Sequence, residues 1–231
     1  EVRAAMPAEL GRSADRLRLS GYEAPYFVSY QVKDVTRDEV SGRYGAIFAD
    51  DHRRDRNLFV DVRVGSYAFD SSAPPDAAIL LDGEGPSWWA PKDAPLDGGG
   101  AALRNALWLA TDERYKEALA SYFKKRSREV YRQDDPERPP SFSREPPARH
   151  VEPPKPFTFD RERWRSAVRS ASALFRAHPD IFDSSVKVVG ERQVRWFASS
   201  EGAAIVTEQT VYGLHLTAVA RAPDGQLLED G

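Results

Sequence analysis

Residues 58–64 read LFVDVRV, and this stretch decides the fold. Leucine or valine occupies every even position, whereas Asp61 and Arg63 lie between them. Strict alternation with charges on one side is typical of a half-buried antiparallel strand. We therefore expect one face of this strand to line a core and the other to face solvent.

Two more alternating runs precede it, at residues 26–32 and 44–48, and a short one follows at 67–69. Polar residues between the first two runs predict a turn there, so the three runs predict a meander of short strands. An apolar stripe through Met6 and Leu10 predicts a helix before the meander, which Gly21 would end.

The second half of the chain repeats these signals in another order. Apolar spacing predicts a long helix over residues 101–131 and a third helix over 160–177, with Asp160 as its N-cap. Strands are predicted at 186–189 and 194–197 around a two-residue hairpin at Gly190 and Glu191, and again at 203–207 and 210–220. The predicted class is α+β, with antiparallel sheets formed by a meander and hairpins and covered by three main helices.

Eight prolines between residues 134 and 156 predict an extended, semi-rigid linker at 134–159. The expected domains are a helix–meander–long helix lobe at 1–133, this linker, and a helix with antiparallel strands at 160–231. The last segment is expected to pack with the first lobe and to continue into a C-terminal domain outside this chain.

Composition excludes several classes of function. The chain has 231 residues, a net charge of −3 with both signs interspersed, and no cysteine. We expect no nucleic-acid partner and no membrane span, since no uncharged apolar run approaches 20 residues. Disulfides and thiolate chemistry are excluded. The lack of cysteine, and a start at Glu1 without methionine, favour an exported protein, with a cytoplasmic one as the alternative.

Three residues are candidates for binding. Trp88 and Trp89 lie in a Pro/Gly-rich loop, where large aromatic side chains often mark contact sites. His215 lies in the middle of the last long strand. No two histidines have the four-residue spacing of a helical zinc pair, so the sequence predicts no catalytic residue and no metal ligand.

The order of three short motifs resembles the TldD/PmbA family of metallopeptidases. These are the stretch 64–69 (VGSYAF) after the meander, the turn 199–202 (SSEG) before the long strand, and Asp224-Gly225 after it. The resemblance covers most of the chain and points to a divergent, exported branch of the family.

The resemblance implies a homo- or hetero-oligomer, such as a dimer, that encloses a cavity and degrades unfolded peptides. The family's zinc ligands lie in a His-Glu-x-x-x-His helix and a distant cysteine, and neither occurs here. The resemblance therefore implies an N-terminal scaffold half that builds the substrate cavity and carries no cofactor, with zinc possible in the C-terminal part.

Two other hypotheses remain open. The chain could be a non-enzymatic binding or assembly module that uses the loop of Trp88 and Trp89 and the Pro-rich linker. It could also be an independent hydrolase in which His215 acts with a carboxylate such as Glu208.

Overall fold

The computed structural model describes residues 1–72, 91–129, 139–222 and 224–230. Within these ranges the chain forms three α-helices and a seven-stranded, mainly antiparallel sheet, so the predicted α+β class is confirmed. The elements in chain order are α1 (Val2–Arg16), β1 (Pro25–Arg43), β2 (Ala46–Val64), β3 (Lys92–Asp93), α2 (Gly99–Glu129), β4 (Arg149–Val151), α3 (Arg161–Ala173), β5 (Ile181–Ser199), β6 (Ala204–Arg221) and β7 (Leu227–Asp230).

The strand order in the sheet is β3-β2-β1-β5-β6-β4, and β7 also pairs with β6. The short strand β4 pairs with β6 in parallel, which the antiparallel prediction did not include. A single turn of 3-10 helix, Leu174–Ala177, follows α3.

The predicted meander is instead one long hairpin, because β1 and β2 each run for 19 residues. The turn expected between residues 32 and 44 is wrong, since β1 continues through it and buries Val40 completely. The reversal occurs at Tyr44 and Gly45, whose φ angles are 47° and 79°. Positive φ at both central residues is what a two-residue type I′ hairpin requires.

The hairpin predicted at Gly190 is also wrong, because β5 runs straight through this residue. A Cβ atom at Gly190 would lie 2.7 Å from the ring of Phe159 and 3.2 Å from that of Tyr212. Because it has no side chain, Gly190 allows the two rings to pack closely against the strand, which is a common reason for glycine inside a strand. The reversal predicted at residues 199–202 is confirmed between β5 and β6, where Gly202 has a φ of 93°.

The chain divides into two compact units built from interleaved stretches. The first unit comprises Glu1–Lys33, Asp55–Glu152 and Arg195–Thr207, and the second comprises Asp34–Arg54, Pro153–Val194 and Glu208–Gly231. The consecutive domains at 1–133, 134–159 and 160–231 stay a prediction.

Each unit has its own apolar core. In the first, α1 and α2, which supplies Leu107, pack with alternating residues of β1 and β2 such as Val28 and Val60. In the second, Val168 of α3 packs with Val40, Val186 and Val188. Asp160 caps α3 as predicted, since its carboxylate accepts a hydrogen bond from the Arg163 N–H at 3.1 Å.

Candidate functional site

Strand β6 has one edge that is only partly paired. β4 pairs with residues 204–206, and β7 pairs with residues 218–221. Between these two, no strand in the described part of the chain pairs with this edge. We call residues 212–217, which belong to the second unit, the open edge.

Prolines explain why the pairing with β4 stops. The Glu152 N–H still donates to the Val206 carbonyl at 3.0 Å, but three of the next four residues are prolines and have no N–H. The segment then contacts β6 through side chains, as where the Tyr212 hydroxyl donates to the Thr158 carbonyl at 2.8 Å. Along residues 153–156 this Pro-rich segment therefore cannot continue the backbone ladder, and the Lys155 N–H donates to the Glu208 side chain instead.

Even-numbered residues of β6 direct their backbone groups outward. The Ala204 N–H donates to the chain entering β4 at 2.9 Å, and the Ala222 N–H donates to the turn before β7 at 2.8 Å. Since alternate residues of a strand point their backbone groups to opposite edges, Leu214 and Leu216 face the same outer side. Their N–H and C=O groups are the ladder positions left open.

Three side chains of the open edge, those of Tyr212, Leu214 and Leu216, are apolar and exposed. Leu214 is 64% exposed and Leu216 is 45% exposed, and half of Tyr212 is also in contact with solvent. The Tyr212 ring stacks on Phe157 with 6.0 Å between centroids, which fixes one end of the open edge. An unpaired, apolar strand edge is a template for an extended chain that adds as a further strand.

His215, a predicted binding residue, lies within the open edge with its side chain opposite those of Leu214 and Leu216. Its Nε2 atom lies 3.1 Å from the position that a Cβ on Gly213 would take, so the ring covers the backbone of that glycine. The imidazole is exposed and is placed to contact the side chains of a strand paired here.

The hydrolase hypothesis for His215 and Glu208 is wrong in its geometry. Seven residues along one strand separate them by roughly 23 Å and place them on opposite faces. Arg192 binds the Glu208 carboxylate at 2.6 and 3.0 Å. The hydrogen bond from Arg192 lowers the pKa of Glu208 against the opposing effect of burial, so this carboxylate stays ionised as an ion-pair partner.

The other two candidates, Trp88 and Trp89, lie outside the described residues. Their role in binding stays a prediction.

Sequence reasoning missed a buried ionic cluster in the first unit. Asp70 is fully buried, and its carboxylate accepts hydrogen bonds from the Tyr26 hydroxyl at 2.8 Å and from Arg63 at 3.3 Å. The Lys125 ammonium donates to the Asp70 carbonyl at 2.9 Å and to the Ser141 hydroxyl at 3.2 Å. The cluster thus joins two strands, α2 and the Pro-rich segment, which no local pattern could reveal.

The electrostatics of this cluster keep Asp70 charged. Burial opposes ionisation, but hydrogen bonds from Ser72 and Tyr26 and the charge of Arg63 outweigh it and lower the pKa of Asp70. Burial and the neighbouring Asp70 carboxylate raise the pKa of Tyr26, which stays neutral. An acid whose pKa is lowered and that is paired with cations has the features of a structural ion pair rather than an acid–base catalyst.

The turn at residues 199–202, one of the motifs on which the resemblance rests, also has a structural role. The Ser200 hydroxyl accepts a hydrogen bond from the Val28 N–H at 3.0 Å, and the Ser200 N–H donates to the Val28 carbonyl at 2.8 Å. Glu201 accepts a hydrogen bond from the Tyr67 hydroxyl, which raises the pKa of Tyr67. The turn thereby connects β5 and β6 to β1 and to the loop after β2.

No three His, Asp or Glu side chains come together as a metal-binding group within the described ranges. None of the helices in those ranges is long and apolar enough to cross a membrane.

Solved structures match almost the whole chain. A proposed modulator of a DNA gyrase from Thermotoga maritima is 7% identical, covers 99% of this chain and 42% of its own, and gives a TM-score of 0.50. A proposed modulator of DNA gyrase from Bacteroides thetaiotaomicron is 10% identical, with the same coverage and a TM-score of 0.54. TldE from Thermococcus kodakarensis is 14% identical, covers 98% of this chain and 42% of its own, and has a TM-score of 0.45, too low to support an inference.

These likenesses show that the chain has the fold of TldD/PmbA proteins, as the resemblance implied. At 7 and 10% identity they show the fold alone. The chain spans 42% of the length of the first two structures. No family model and no curated protein matches the sequence.

Proposed function

We propose that this chain is the scaffold part of a larger TldD/PmbA-like protein, and that its open edge binds an extended segment of an unfolded polypeptide. The observation that carries this proposal is the unpaired, apolar stretch of β6 between β4 and β7. The shared fold with longer proteins supports the scaffold role. Peptidase chemistry and any zinc would belong to the rest of that larger protein.

The dimensions of the open edge suit a short peptide. Six residues of strand extend over about 20 Å, which is enough to align a similar number of peptide residues. Leu214 and Leu216 would each offer one N–H and one C=O group to its backbone. Alternate peptide side chains would meet these leucines on one face and His215 on the other, which favours an apolar, uncharged sequence.

Peptide binding can be measured by fluorescence anisotropy with a labelled eight-residue peptide of alternating valine and threonine. We expect L214E/L216E to weaken binding about tenfold or more, because each change places a charge where apolar contact is needed. The matched control is L174E, since Leu174 is an exposed leucine of the same unit that lies outside the open edge.

A second peptide separates strand pairing from apolar adhesion. The same sequence methylated on alternate backbone nitrogens keeps its side chains but loses the hydrogen-bond donors of one edge. Weaker binding of the methylated peptide supports strand addition. Equal affinity for both peptides, or an equal loss in L174E, would overturn the proposal.

Assembly and localisation belong to the same proposal. We infer a homo- or hetero-oligomer from the resemblance, and export from the absence of cysteine. The alternative of an assembly module that uses Trp88 and Trp89 rests on residues outside the described ranges, so no contact supports it over the open edge.

A further inference from the structure

A cleft of about 180 Å³ lies in the first unit, where the end of α1 meets α2. Three arginines line it, together with two exposed apolar side chains and one carboxylate; these residues are Arg12, Arg16, Arg18, Leu19, Trp108 and Asp112. The cleft is not part of the open edge, and ligand binding there is independent of the proposed function.

Buried hydroxyls fix the walls of the cleft. The Tyr115 hydroxyl donates to the Glu23 carbonyl at 2.6 Å and accepts the Leu19 N–H at 3.3 Å. Below the cleft, the Ser13 hydroxyl is hydrogen-bonded to the Tyr30 hydroxyl at 2.9 Å. Tyr115, Tyr30 and Ser13 are all buried, so the chain's own hydrogen bonds hold the residues after α1 against α2. The cleft is therefore preformed.

The cleft has an excess of positive charge. Its one lining carboxylate, Asp112, pairs with Lys116 at 2.6 Å. The buried Glu9 nearby pairs with Arg12, and Arg104 lies 3.6 Å from its other oxygen. The nearby acids are thus matched by cations of their own.

Arg16 is the cation that remains. Arg12 is bound to Glu9 and lies 5.7 Å from the centre of the Trp108 ring, and Arg18 donates to the Asp15 carbonyl at 3.2 Å. The Arg16 side chain has no hydrogen bond or ion pair in the described part of the chain. The dipole of α1 explains why a cation is favourable at its C-terminal end. It does not explain why this cation lies in a cleft beside an exposed tryptophan.

The geometry points to a binding site for a small carboxylate with an apolar body. The guanidinium of Arg16 would hold the carboxylate through two parallel hydrogen bonds. The apolar body would lie against Trp108 and Leu19, which are 41% and 39% exposed. The Arg16 guanidinium, which has neither a hydrogen bond nor an ion pair among the described residues, can take one carboxylate, and the tryptophan favours an aromatic group over a purely inorganic anion.

Phenylacetate is a suitable probe, and its binding to the full chain can be followed by NMR through the Trp108 indole N–H. We expect R16Q to raise the dissociation constant about tenfold, because it removes the charge-assisted hydrogen bonds. R3Q is the matched control, since Arg3 is an exposed arginine on the same helix that does not line the cleft. An unchanged dissociation constant in R16Q, or an equal rise in R3Q, would overturn the proposal.

Three further ligands test the class of molecule. Acetate lacks the apolar body and 2-phenylethanol lacks the charge, so we expect both to bind at least about tenfold more weakly than phenylacetate. Inorganic phosphate should not displace phenylacetate at equal concentration. Displacement by phosphate, or equal binding of acetate, would mean general attraction of anions and would contradict the site proposed here.

Discussion

At the scale of single residues, Asp70 has the largest predicted effect on stability. Its buried carboxylate faces Arg63 and Lys125, so D70N removes the buried negative charge that these two cations share, and Arg63 keeps only Asp61 as an ion-pair partner. We expect D70N to lower the free energy of unfolding by about 2–4 kcal/mol, as measured by urea denaturation. D93N is a suitable control, because Asp93 is exposed and bonds to Asn57 at the surface. A loss no larger in D70N than in D93N would contradict the assignment.

Asp70 also makes the free energy of unfolding depend on pH. Because folding lowers the pKa of Asp70 below its ordinary value of 3.8, the ionised carboxylate contributes its full stability above that pH. This contribution is lost as the pH falls through the lower, folded-state pKa. D70N should therefore lose less stability than the wild type below pH 4. Parallel curves of unfolding free energy against pH for the two proteins would show that Asp70 is not the group involved.

Tyr26 gives the opposite dependence at alkaline pH. Folding raises its pKa above 10, so the neutral hydroxyl stabilises the folded chain below that pH, and this is lost as the pH rises toward the folded-state value. Y26F removes the hydroxyl and keeps the ring. We expect its unfolding free energy to fall less than that of the wild type above pH 10, as measured by urea denaturation at each pH. Identical slopes would contradict this role for Tyr26.

At the scale of elements, Gly190 tests why β5 is continuous. A Cβ here would lie 2.7 Å from Phe159, so we expect G190A to lower the unfolding free energy by about 1–3 kcal/mol. G11A is the matched substitution inside α1, where a Cβ has no neighbour within 4 Å. G11A should raise stability by about 0.5–1 kcal/mol, because alanine favours helix. Similar effects of the two changes in thermal unfolding would contradict the packing described.

Among the secondary-structure elements, sequence patterns predicted the local features correctly. The alternation at residues 58–64 and the cap at Asp160 are local features, and both were predicted. The continuation of β1 could not be predicted, because Asp38 in its outer half is buried by an ion pair with Arg161, more than 120 residues away in the chain. The glycine at position 190 was interpreted as part of a turn, because the rings of Phe159 and Tyr212 that require a glycine there come from two distant segments of the chain.

At the scale of the whole molecule, three strands connect the two cores. β1, β2 and β5 each supply apolar residues to both units. We expect L107A in the first core and V168A in the second to lower the midpoint of the same unfolding transition, with losses of unfolding free energy of about 2–5 and about 2 kcal/mol respectively. Urea unfolding followed by fluorescence and circular dichroism checks this. Two separate transitions, each moved by only one substitution, would contradict it.

The candidate site could be predicted from the sequence only in part. His215 was predicted as a binding residue from its position in a strand, and it does lie within the open edge. The exposure of Leu214 and Leu216 was not predicted, because alternation in a sequence cannot tell which edge of a strand is left unpaired. That property depends on how far β4 and β7 extend along β6, and the prolines after Glu152 were interpreted as a semi-rigid linker or as part of a binding module.

The most direct test of strand addition is amide hydrogen exchange along β6, measured by NMR with and without the valine–threonine peptide. The N–H groups of Leu214 and Leu216 face the open edge, whereas that of His215 faces β5. We predict that the peptide slows exchange at Leu214 and Leu216 by about tenfold or more and leaves His215 unchanged. Binding of the peptide without added protection at these two amides would contradict strand addition at the open edge.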